Sequence, residues 1–197
     1  PFVGMVTGAT SIVLMPLFSK MIHDKSDVET IINLWKSALL KSAIIIYPLV
    51  IFFIFNAKNV VEVLYSSTYH NSAIYFQIAM VLNFFNIIVF APLLLSMGKT
   101  KFYARLHMII AAIAWCIGYI VVLVFNSPVA IAIFSVTLSI ITVLIFIIYI
   151  AFLLKVSPFS LFPIKRIAVL ILHAILVIAF VNLVNSQFLP SMANYVS

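Results

Sequence analysis

The feature that most constrains how this chain can fold is its series of long apolar runs with almost no charge, such as the run from Val129 to Leu154. Hydrophobic residues make up 66% of the sequence and charged residues only 8%, whereas soluble domains carry about 25% charged residues. A chain with so little polar surface cannot cover a water-facing globule, so we expect it to fold in hydrocarbon.

Backbone groups in hydrocarbon must be paired within the protein, so only α-helices and closed β-barrels can span a bilayer. The sequence lacks the roughly ten-residue alternation of apolar and polar side chains that is typical of barrel strands. We therefore predict an all-α fold, a polytopic transmembrane bundle of about six spanning helices with no separate soluble domain. The predicted spans cover residues 2–21, 38–55, 73–97, 102–125, 128–154 and 167–184. Because the sequence starts at Pro1 and shows no signal peptide, we expect it to be a fragment of a longer protein.

The basic residues are distributed unevenly between the predicted loops. Ten of the 11 Lys and Arg side chains lie in or beside three alternate loops, and only Lys58 lies elsewhere. Since cytoplasmic loops carry an excess of Lys and Arg, we predict that these three loops are cytoplasmic and that the C-terminal tail is outside. The net charge of +7 is then explained by anionic membrane lipids, and no nucleic-acid partner is expected.

The loop between the first two spans carries a helical pattern of its own. Ser26 and Glu29 have the spacing of a capping box, and apolar residues including Trp35 follow at helical intervals. We predict a helix at the membrane surface, with Trp35 at headgroup level, that bends into the second span. A single longer second helix is the alternative. A second short interfacial helix is predicted at 59–65, and the tail after Asn185 is predicted to be a loop or the start of another span.

No group of residues has the pattern of a catalytic or metal site. All four acids lie in predicted loops, so a carboxylate proton relay inside the bilayer is not expected. The four histidines are scattered, and packing is the simpler interpretation of each, with a ligand or proton role as the alternative. Cys116 is a single cysteine in an apolar run without a metal-binding spacing. We predict no catalytic residue, no bound metal and no cofactor.

Amide side chains within the predicted spans indicate a possible functional site more specifically than the histidines do. Gln77, Asn83 and Asn86 fall within the third predicted span, where an unpaired amide is costly and must face the bundle or a wet cavity. Asn83 and Asn86 share one helix face, and Gln77 is displaced from Asn83 by about 120°. The three amides are candidates for lining a polar substrate path, and interhelical hydrogen bonding is the alternative.

Prolines interrupt three of the predicted spans. Pro16, Pro48 and Pro92 each remove one backbone hydrogen bond and can kink a helix. Kinked spans suit a transporter that rocks between states, and a static kink that helps packing is the alternative. Hydroxyls in the spans are expected to bond to carbonyls four residues earlier without a functional role; these are Thr7, Ser11, Ser135, Thr137, Ser139 and Thr142.

Several stretches in order resemble a known family. They are Leu14-Met-Pro-Leu-Phe-Ser-Lys20 followed by a span with a central Pro48, then Ala57-Lys-Asn-Val-Val-Glu-Val-Leu-Tyr-Ser-Ser-Thr-Tyr69, then the turn Gly98-Lys-Thr-Lys101. Residues 1–155 resemble the C-terminal half of polysaccharide-repeat flippases of the O-antigen or capsule type, which belong to the multidrug/oligosaccharidyl-lipid/polysaccharide exporter superfamily. The sequence departs from that pattern at 126–130, where the family often has glycines.

The resemblance implies two six-helix lobes around a central cavity in the cytoplasmic (inner) membrane. The implied function is the translocation of undecaprenyl-pyrophosphate-linked repeat units by alternating access, with a lipid-linked oligosaccharide as substrate and other polysaccharide-assembly proteins, for example those of lipopolysaccharide, as candidate partners. Cationic side chains at the mouth of that cavity would attract the anionic pyrophosphate. Alternatively, they only hold the helix ends on the cytoplasmic side of the membrane. The candidates are Lys41, Lys99, Lys101 and Arg105.

Three other functions remain open from the sequence. They are a membrane-embedded enzyme or polymerase of cell-surface polysaccharide assembly, a small-solute or drug antiporter of the same superfamily, and a non-catalytic assembly or scaffold subunit. An enzyme would normally show clustered acids, arginines or histidines in a large outer loop, which the sequence lacks. We therefore expect a transporter that is not an enzyme.

Overall fold

A computed structural model describes the backbone of residues 2–193 and the side chains of residues 2–184. Within these ranges the chain forms helices and turns, with no β-strand. The eight α-helices are α1 Phe2–His23, α2 Val28–Phe55, α3 Ala57–Tyr65, α4 Ala73–Asn86, α5 Phe90–Ser96, α6 Thr100–Phe125, α7 Pro128–Leu154 and α8 Ile164–Ala193. Short 3₁₀ segments lie at Ser67–Ser72 and Pro158–Leu161.

Six segments of the described chain are long and apolar enough to cross a membrane, which confirms the predicted all-α fold. Five are the helices α1, α2, α6, α7 and the part of α8 up to Val184, and the sixth is the interrupted segment Ser67–Ser96. In the bundle, α2 packs against α1, α4 and α8, and α7 packs against α4 and α6. Helix α6 lies at the periphery, since none of its residues is buried.

The second helix is continuous from Val28 to Phe55. The prediction of a separate surface helix that bends into the second span is therefore wrong, and the alternative of one longer helix is correct. Ser26 does not cap it, because Asp27 occupies the N-cap position and makes no side-chain capping hydrogen bond. Trp35 is 2% exposed and packs against Phe18, with ring centroids 6.4 Å apart, so its ring is covered by protein side chains.

The third span is interrupted, whereas the sequence predicted one helix over 73–97. α4 ends at Asn86 and α5 starts at Phe90, so residues 87–89 leave the helical conformation. Pro92 explains the position of the break. Its ring lacks an N–H and would clash with the carbonyl of Ile88, four residues earlier. In α5, Pro92 stands in the first turn, where an N–H has no intrahelical acceptor anyway.

The connection between α2 and α4 is structured. Helix α3 covers the predicted short helix at 59–65 and starts two residues earlier, at Ala57. Glu62 on α3 pairs with Nδ1 of His70 in the following 3₁₀ segment. Tyr65 and Tyr69 contact each other edge to face, with centroids 6.2 Å apart. These contacts make α3 and the 3₁₀ segment one small unit.

The C-terminal segment differs from its prediction. The backbone stays helical through Ala193, so the stretch after Asn185 is a continuation of α8 and not a loop. Pro190 lies inside the helix without ending it. The last four residues of the predicted outside tail, 194–197, lie outside the described part of the chain.

Three helix ends share one termination motif. α1, α5 and α7 each end with a residue at positive φ, namely Lys25 (51°), Gly98 (71°) and Lys155 (55°). At each end the next residue donates its N–H to a carbonyl five residues earlier, as in Lys99 to Leu94 at 3.0 Å. This is the Schellman arrangement, which satisfies carbonyls left free at a helix end. All three ends carry basic residues, which the negative end of a helix dipole favours.

The main buried cluster combines side chains of α1, α2, α5 and α7. Ile46 and Val50 of α2 and Leu93 of α5 are completely buried, as is Phe146 of α7. Phe90, at the start of α5, stacks on Phe146 with ring centroids 4.4 Å apart. Since lipid tails are as apolar as these side chains, close packing, and not exclusion from water, stabilises this contact in a membrane. The short helix α5 is thereby held at the centre of the bundle.

Candidate functional site

A polar cavity lies at the interruption of the third span. Its volume is about 200 Å³. Asn86, the last residue of α4, lines it together with residues of the break and of α5. Side chains from α1, α6 and α7 close the remaining walls. The lining residues are Thr7, Ser11, Phe85, Asn86, Ile88, Val89, Phe90, Ala91, Tyr103 and Val143.

The two asparagines of α4 are in contact, as their spacing on one helix face indicates. Nδ2 of Asn86 donates to Oδ1 of Asn83 at 2.9 Å, and Nδ2 of Asn83 lies 3.5 Å from the sulfur of Met80. A thioether is a weak acceptor, so the second contact adds little. Asn83 therefore orients the Asn86 amide, and only Asn86 of the two lines the cavity.

Helix α1 brings two hydroxyls to this cavity. Thr7 donates to the carbonyl of Val3 at 3.1 Å, and Ser11 donates to the carbonyl of Thr7 at 2.8 Å. The predicted bonds to carbonyls four residues earlier are thus present at these two residues, and also at Ser139 and Thr142. The prediction is wrong for Ser135 and Thr137, which show no such bond in the described structure. A hydroxyl that donates its hydrogen keeps lone pairs that can accept. Both residues were assigned no functional role from the sequence, and both line the wall of this cavity.

Tyr103 of α6 is a lining residue that the sequence did not reveal. Its ring packs against His107, with centroids 4.5 Å apart, and against Phe146, with centroids 5.3 Å apart. The one available signal was its position four residues before His107, which puts both on one face of α6. His107 thus has a packing role, and no interaction with another histidine is seen in the described chain.

The cavity contains polar groups but no charged side chain. Amide and hydroxyl groups of Asn86, Thr7 and Ser11 stand beside apolar walls from α5 and α7. Such a wall can exchange hydrogen bonds with hydroxyl or acetamido groups. It offers no counter-charge to a phosphate. The chemistry of the cavity therefore suits a neutral polar group, such as part of a sugar.

Gln77 lies away from this cavity. Its Nε2 donates to the carbonyl of Ile54 on α2 at 2.9 Å. This bond joins α4 to the last turn of α2, so Gln77 contacts a different neighbour from Asn83, as its angular displacement indicated. For Gln77 the structure therefore shows interhelical hydrogen bonding, which was the alternative to lining a substrate path.

Lys41 lines a separate groove between α1 and α2. The groove has a volume of about 370 Å³ and includes Thr10, Ser37 and Ser42. Thr10 and Ser42 hydroxyls are 3.4 Å apart across it. α2 has 28 residues, so it is about 42 Å long and exceeds the roughly 30 Å hydrocarbon layer by about eight residues. Lys41 lies near the middle of α2 and not at its end, and a lysine at membrane depth is rare and faces the bundle interior or a wet cavity.

The other predicted candidates do not line either space. Lys99 is the N-cap residue of α6, and Lys101 and Arg105 are exposed on its first two turns. The structure therefore separates these cations from both the Asn86 cavity and the Lys41 groove. Pro16 and Pro48 lie inside α1 and α2, which continue through them without a break. Of the three predicted kink sites, only Pro92 coincides with an interruption.

The described side chains contain no cluster of three or more His, Cys, Asp or Glu residues that could hold a metal ion. Cys116 is exposed on α6 and makes no disulfide.

Comparison with known proteins gives one match. A family model described as "Polysaccharide biosynthesis protein" matches residues 2–74. These residues comprise α1, α2, α3 and the start of α4. Neither the comparison with curated proteins nor that with solved structures gave a match. The family match supports the resemblance to polysaccharide-repeat flippases, and with it a role of this multi-pass membrane protein in polysaccharide assembly or export.

Proposed function

We propose that this chain is part of a flippase that moves lipid-linked polysaccharide repeat units across the cytoplasmic membrane. The family match supplies the polysaccharide connection. The observation that carries the transport step is the Asn86 cavity, a recess with polar lining groups at the break in the third span. Its substrate would be an undecaprenyl-pyrophosphate-linked oligosaccharide.

Two spaces on neighbouring faces of α1 suit the two polar parts of such a substrate. Thr7 and Ser11 face the uncharged Asn86 cavity, whereas Thr10 faces the groove that contains Lys41. Sugar hydroxyls would exchange hydrogen bonds with the first space. A pyrophosphate would be attracted to the lysine in the second, because no acidic residue follows Glu29 before Glu62 to neutralise it. Helix α1 thus separates a neutral site from a cationic one.

The interrupted third span supplies a place where the bundle can change shape. Discontinuous helices near the substrate site are common in transporters that alternate between two access states. Residues 87–89 have no helical hydrogen-bond ladder to bend. Rotation there would move Asn86 relative to Thr7 and Ser11. In this proposal the chain transports its substrate and does not modify it chemically.

Reconstitution tests the proposal directly. The full-length protein is placed in vesicles with a labelled lipid-linked repeat unit, and the label's accessibility to an impermeant reagent is followed over time. Asn86→Leu and Asn83→Leu are each expected to slow translocation about tenfold or more, because losing about 1.5 kcal/mol of hydrogen bonding corresponds to that factor. Equal membrane insertion is checked from protein yield and elution profile.

Asn33→Leu is the matched control. Asn33 is an exposed amide on α2 and lines neither the cavity nor the Lys41 groove, so its loss should leave translocation within about twofold. Retained transport in both α4 variants would remove these amides from the substrate path. A wild-type protein that extends or cleaves the lipid-linked sugar without moving it would favour the enzyme alternative.

A further inference from the structure

A second space with aromatic and polar side chains lies between α6 and α7. This α6–α7 groove has a volume of about 610 Å³, within the range of small-molecule sites. Trp115 and Tyr119 of α6 line it, and Ser135 and Ser139 of α7 line its other wall. Among the described side chains, its walls contain no Lys, Arg, Asp or Glu.

Trp115 stands in the middle part of its span. It lies about 22 Å from the start of α6 and about 15 Å from its end, at 1.5 Å per residue. Ser139 lies about 16 Å from the start of α7, which is a comparable distance from the turn that joins the two helices. Tryptophans that anchor a span at headgroup level lie near its ends, so the position of Trp115 does not suit that role.

Several polar groups of the groove have no partner among the side chains that the structure describes. The indole N–H of Trp115 and the hydroxyls of Tyr119 and Ser135 make no hydrogen bond there, and Ser139 donates to the carbonyl of Ser135 at 2.8 Å. Trp115 and Tyr119 are 82% and 67% exposed. Hydrocarbon would leave these donors and acceptors unsatisfied, which is unfavourable. The groove is therefore better suited to face water or a polar ligand than lipid tails.

Aromatic faces beside hydroxyls suit a sugar ring, which carries C–H groups on its faces and hydroxyls around its edge. Trp115 and Tyr119 are four residues apart and so share one face of α6. The negative face of an aromatic ring attracts the slightly positive hydrogens of C–H groups. The hydroxyls of Tyr119 and Ser135 can donate and accept, and the indole N–H of Trp115 can donate. An uncharged sugar thus finds partners for both its faces and its edge.

The α6–α7 groove adjoins the Asn86 cavity. Tyr103 lines the cavity and His107 lines the groove, and their rings are in contact, with centroids 4.5 Å apart. On α7, Val143 lines the cavity and the neighbouring Thr142 lines the groove. The cavity has a volume of only about 200 Å³, below the roughly 300–1,000 Å³ of sites that enclose drug-sized ligands. An oligosaccharide of several rings needs more space, and the groove supplies adjoining space with polar groups.

On the basis of the proposed flippase function, we propose that the α6–α7 groove holds a sugar ring of the oligosaccharide beyond the one nearest the pyrophosphate. The first ring would lie in the Asn86 cavity. A later ring would stack on Trp115, with its hydroxyls bonded to Tyr119 and Ser135. The groove would thereby contribute to the recognition of the sugar chain and would not contact the pyrophosphate.

Two labelled substrates separate this site from the rest of the transport path. One is undecaprenyl pyrophosphate with the complete repeat unit, and the other carries only the first sugar. Both are assayed with the full-length protein in vesicles. In Trp115→Ala, the concentration of complete unit that gives half-maximal translocation should rise about tenfold, the factor for a loss of about 1.4 kcal/mol. For the single-sugar lipid, which does not reach the groove, it should change by less than about twofold.

Matched variants control for the loss of an aromatic side chain. Trp115→Phe keeps an aromatic face, so the complete unit should stay within about threefold of the wild-type value. Phe152→Ala removes a 75% exposed aromatic side chain that does not line the groove, and it should leave both substrates unaffected. An equal rise for both substrates in Trp115→Ala, or no rise for either, would overturn the sugar site. A wild-type protein that moves neither substrate would refute the flippase proposal and this site with it.

Protection of an introduced cysteine tests occupancy of the groove without transport. In a full-length protein without other cysteines, Ser135→Cys should react with a charged thiol reagent, because the reactive thiolate forms in water. The complete unit at roughly ten times its Kd should slow this reaction about tenfold, since only the unoccupied fraction reacts, and the single-sugar lipid should not. Ile133→Cys, at an exposed position that does not line the groove, should show no protection. An unreactive Ser135→Cys, or equal protection at both positions, would contradict the site.

Discussion

At the scale of single residues, backbone conformation at the helix ends decides which side chains are tolerated. Gly98 has φ 71°, and nothing lies within 4 Å of the Cβ that a larger residue would add. The cost of a substitution there is therefore conformational and not steric. Lys25 and Lys155 hold comparable conformations with ordinary L side chains, so each carries a strain that glycine would remove.

Gly98→Ala should lower the free energy of unfolding by about 1 kcal/mol, because alanine is disfavoured at positive φ. Lys155→Gly should raise it by up to about 1 kcal/mol for the opposite reason. Unfolding of the detergent-solubilised protein by sodium dodecyl sulfate, followed by circular dichroism, measures both. Gly4→Ala is the control with the same chemical change in the middle of a helix turn, where nothing lies within 4 Å and alanine should stabilise. A loss of stability in Gly4→Ala equal to that in Gly98→Ala would contradict the account.

Trp35 gives a second prediction at this scale. Its indole Nε1 is buried without a hydrogen-bond partner in the described structure. Trp35→Phe removes that unsatisfied donor and keeps most of the packing, so it should cost less than about 1 kcal/mol. Trp35→Ala leaves a cavity and should cost about 3–5 kcal/mol in the same unfolding experiment. Similar small effects of both changes would instead show that Trp35 is not packed in the protein core.

At the scale of elements, the third span shows what a sequence pattern can and cannot reveal. Residues 73–97 form one continuous apolar segment in the sequence. Hydropathy depends on side-chain composition alone, so it does not show where the backbone leaves the helix. Pro92 was recognised as a disturbance, but its effect lies at 87–89, since the clash of the proline ring falls on the carbonyl four residues earlier. The separation of α4 from α5 then puts Asn86 at a helix end, beside a cavity that periodicity alone could not predict.

Pro92→Ala should restore a donor for the carbonyl of Ile88 and favour one continuous third helix. We expect stability to rise by about 1 kcal/mol and translocation in vesicles to fall, because Asn86 would move relative to Thr7. Pro16→Ala is the control, since α1 continues through Pro16 without a break. Unchanged translocation in Pro92→Ala, together with the expected gain in stability, would show that the interruption has no part in transport.

At the scale of the whole molecule, the hydrocarbon environment determines the fold class. Length and hydropathy predict six spans because every backbone group must be paired in hydrocarbon, and the described helices agree. The candidate site was only partly predictable. The Asn83–Asn86 contact follows from helix geometry, but Tyr103, Thr7 and Asn86 come from three distant helices. These three residues come together only through tertiary packing around α5, which the local sequence does not predict.

The distribution of charge predicts the orientation of this bundle. Ten of the 11 basic residues lie on one side if the six segments alternate in direction. The loop at 126–127 and the unit formed by α3 and its 3₁₀ segment then lie on the opposite side. This alternation underlies the proposed direction of transport.

Cysteine accessibility in intact cells tests that arrangement most directly. Single cysteines are introduced at Asn71, Thr100, Ser127 and Ser157 after Cys116→Ala, and each variant is treated with an impermeant thiol reagent before and after permeabilisation. We predict labelling from outside at 71 and 127, and labelling at 100 and 157 only after permeabilisation. The inverse pattern would reverse the orientation, and external labelling at all four positions would contradict a bundle of six membrane-spanning segments.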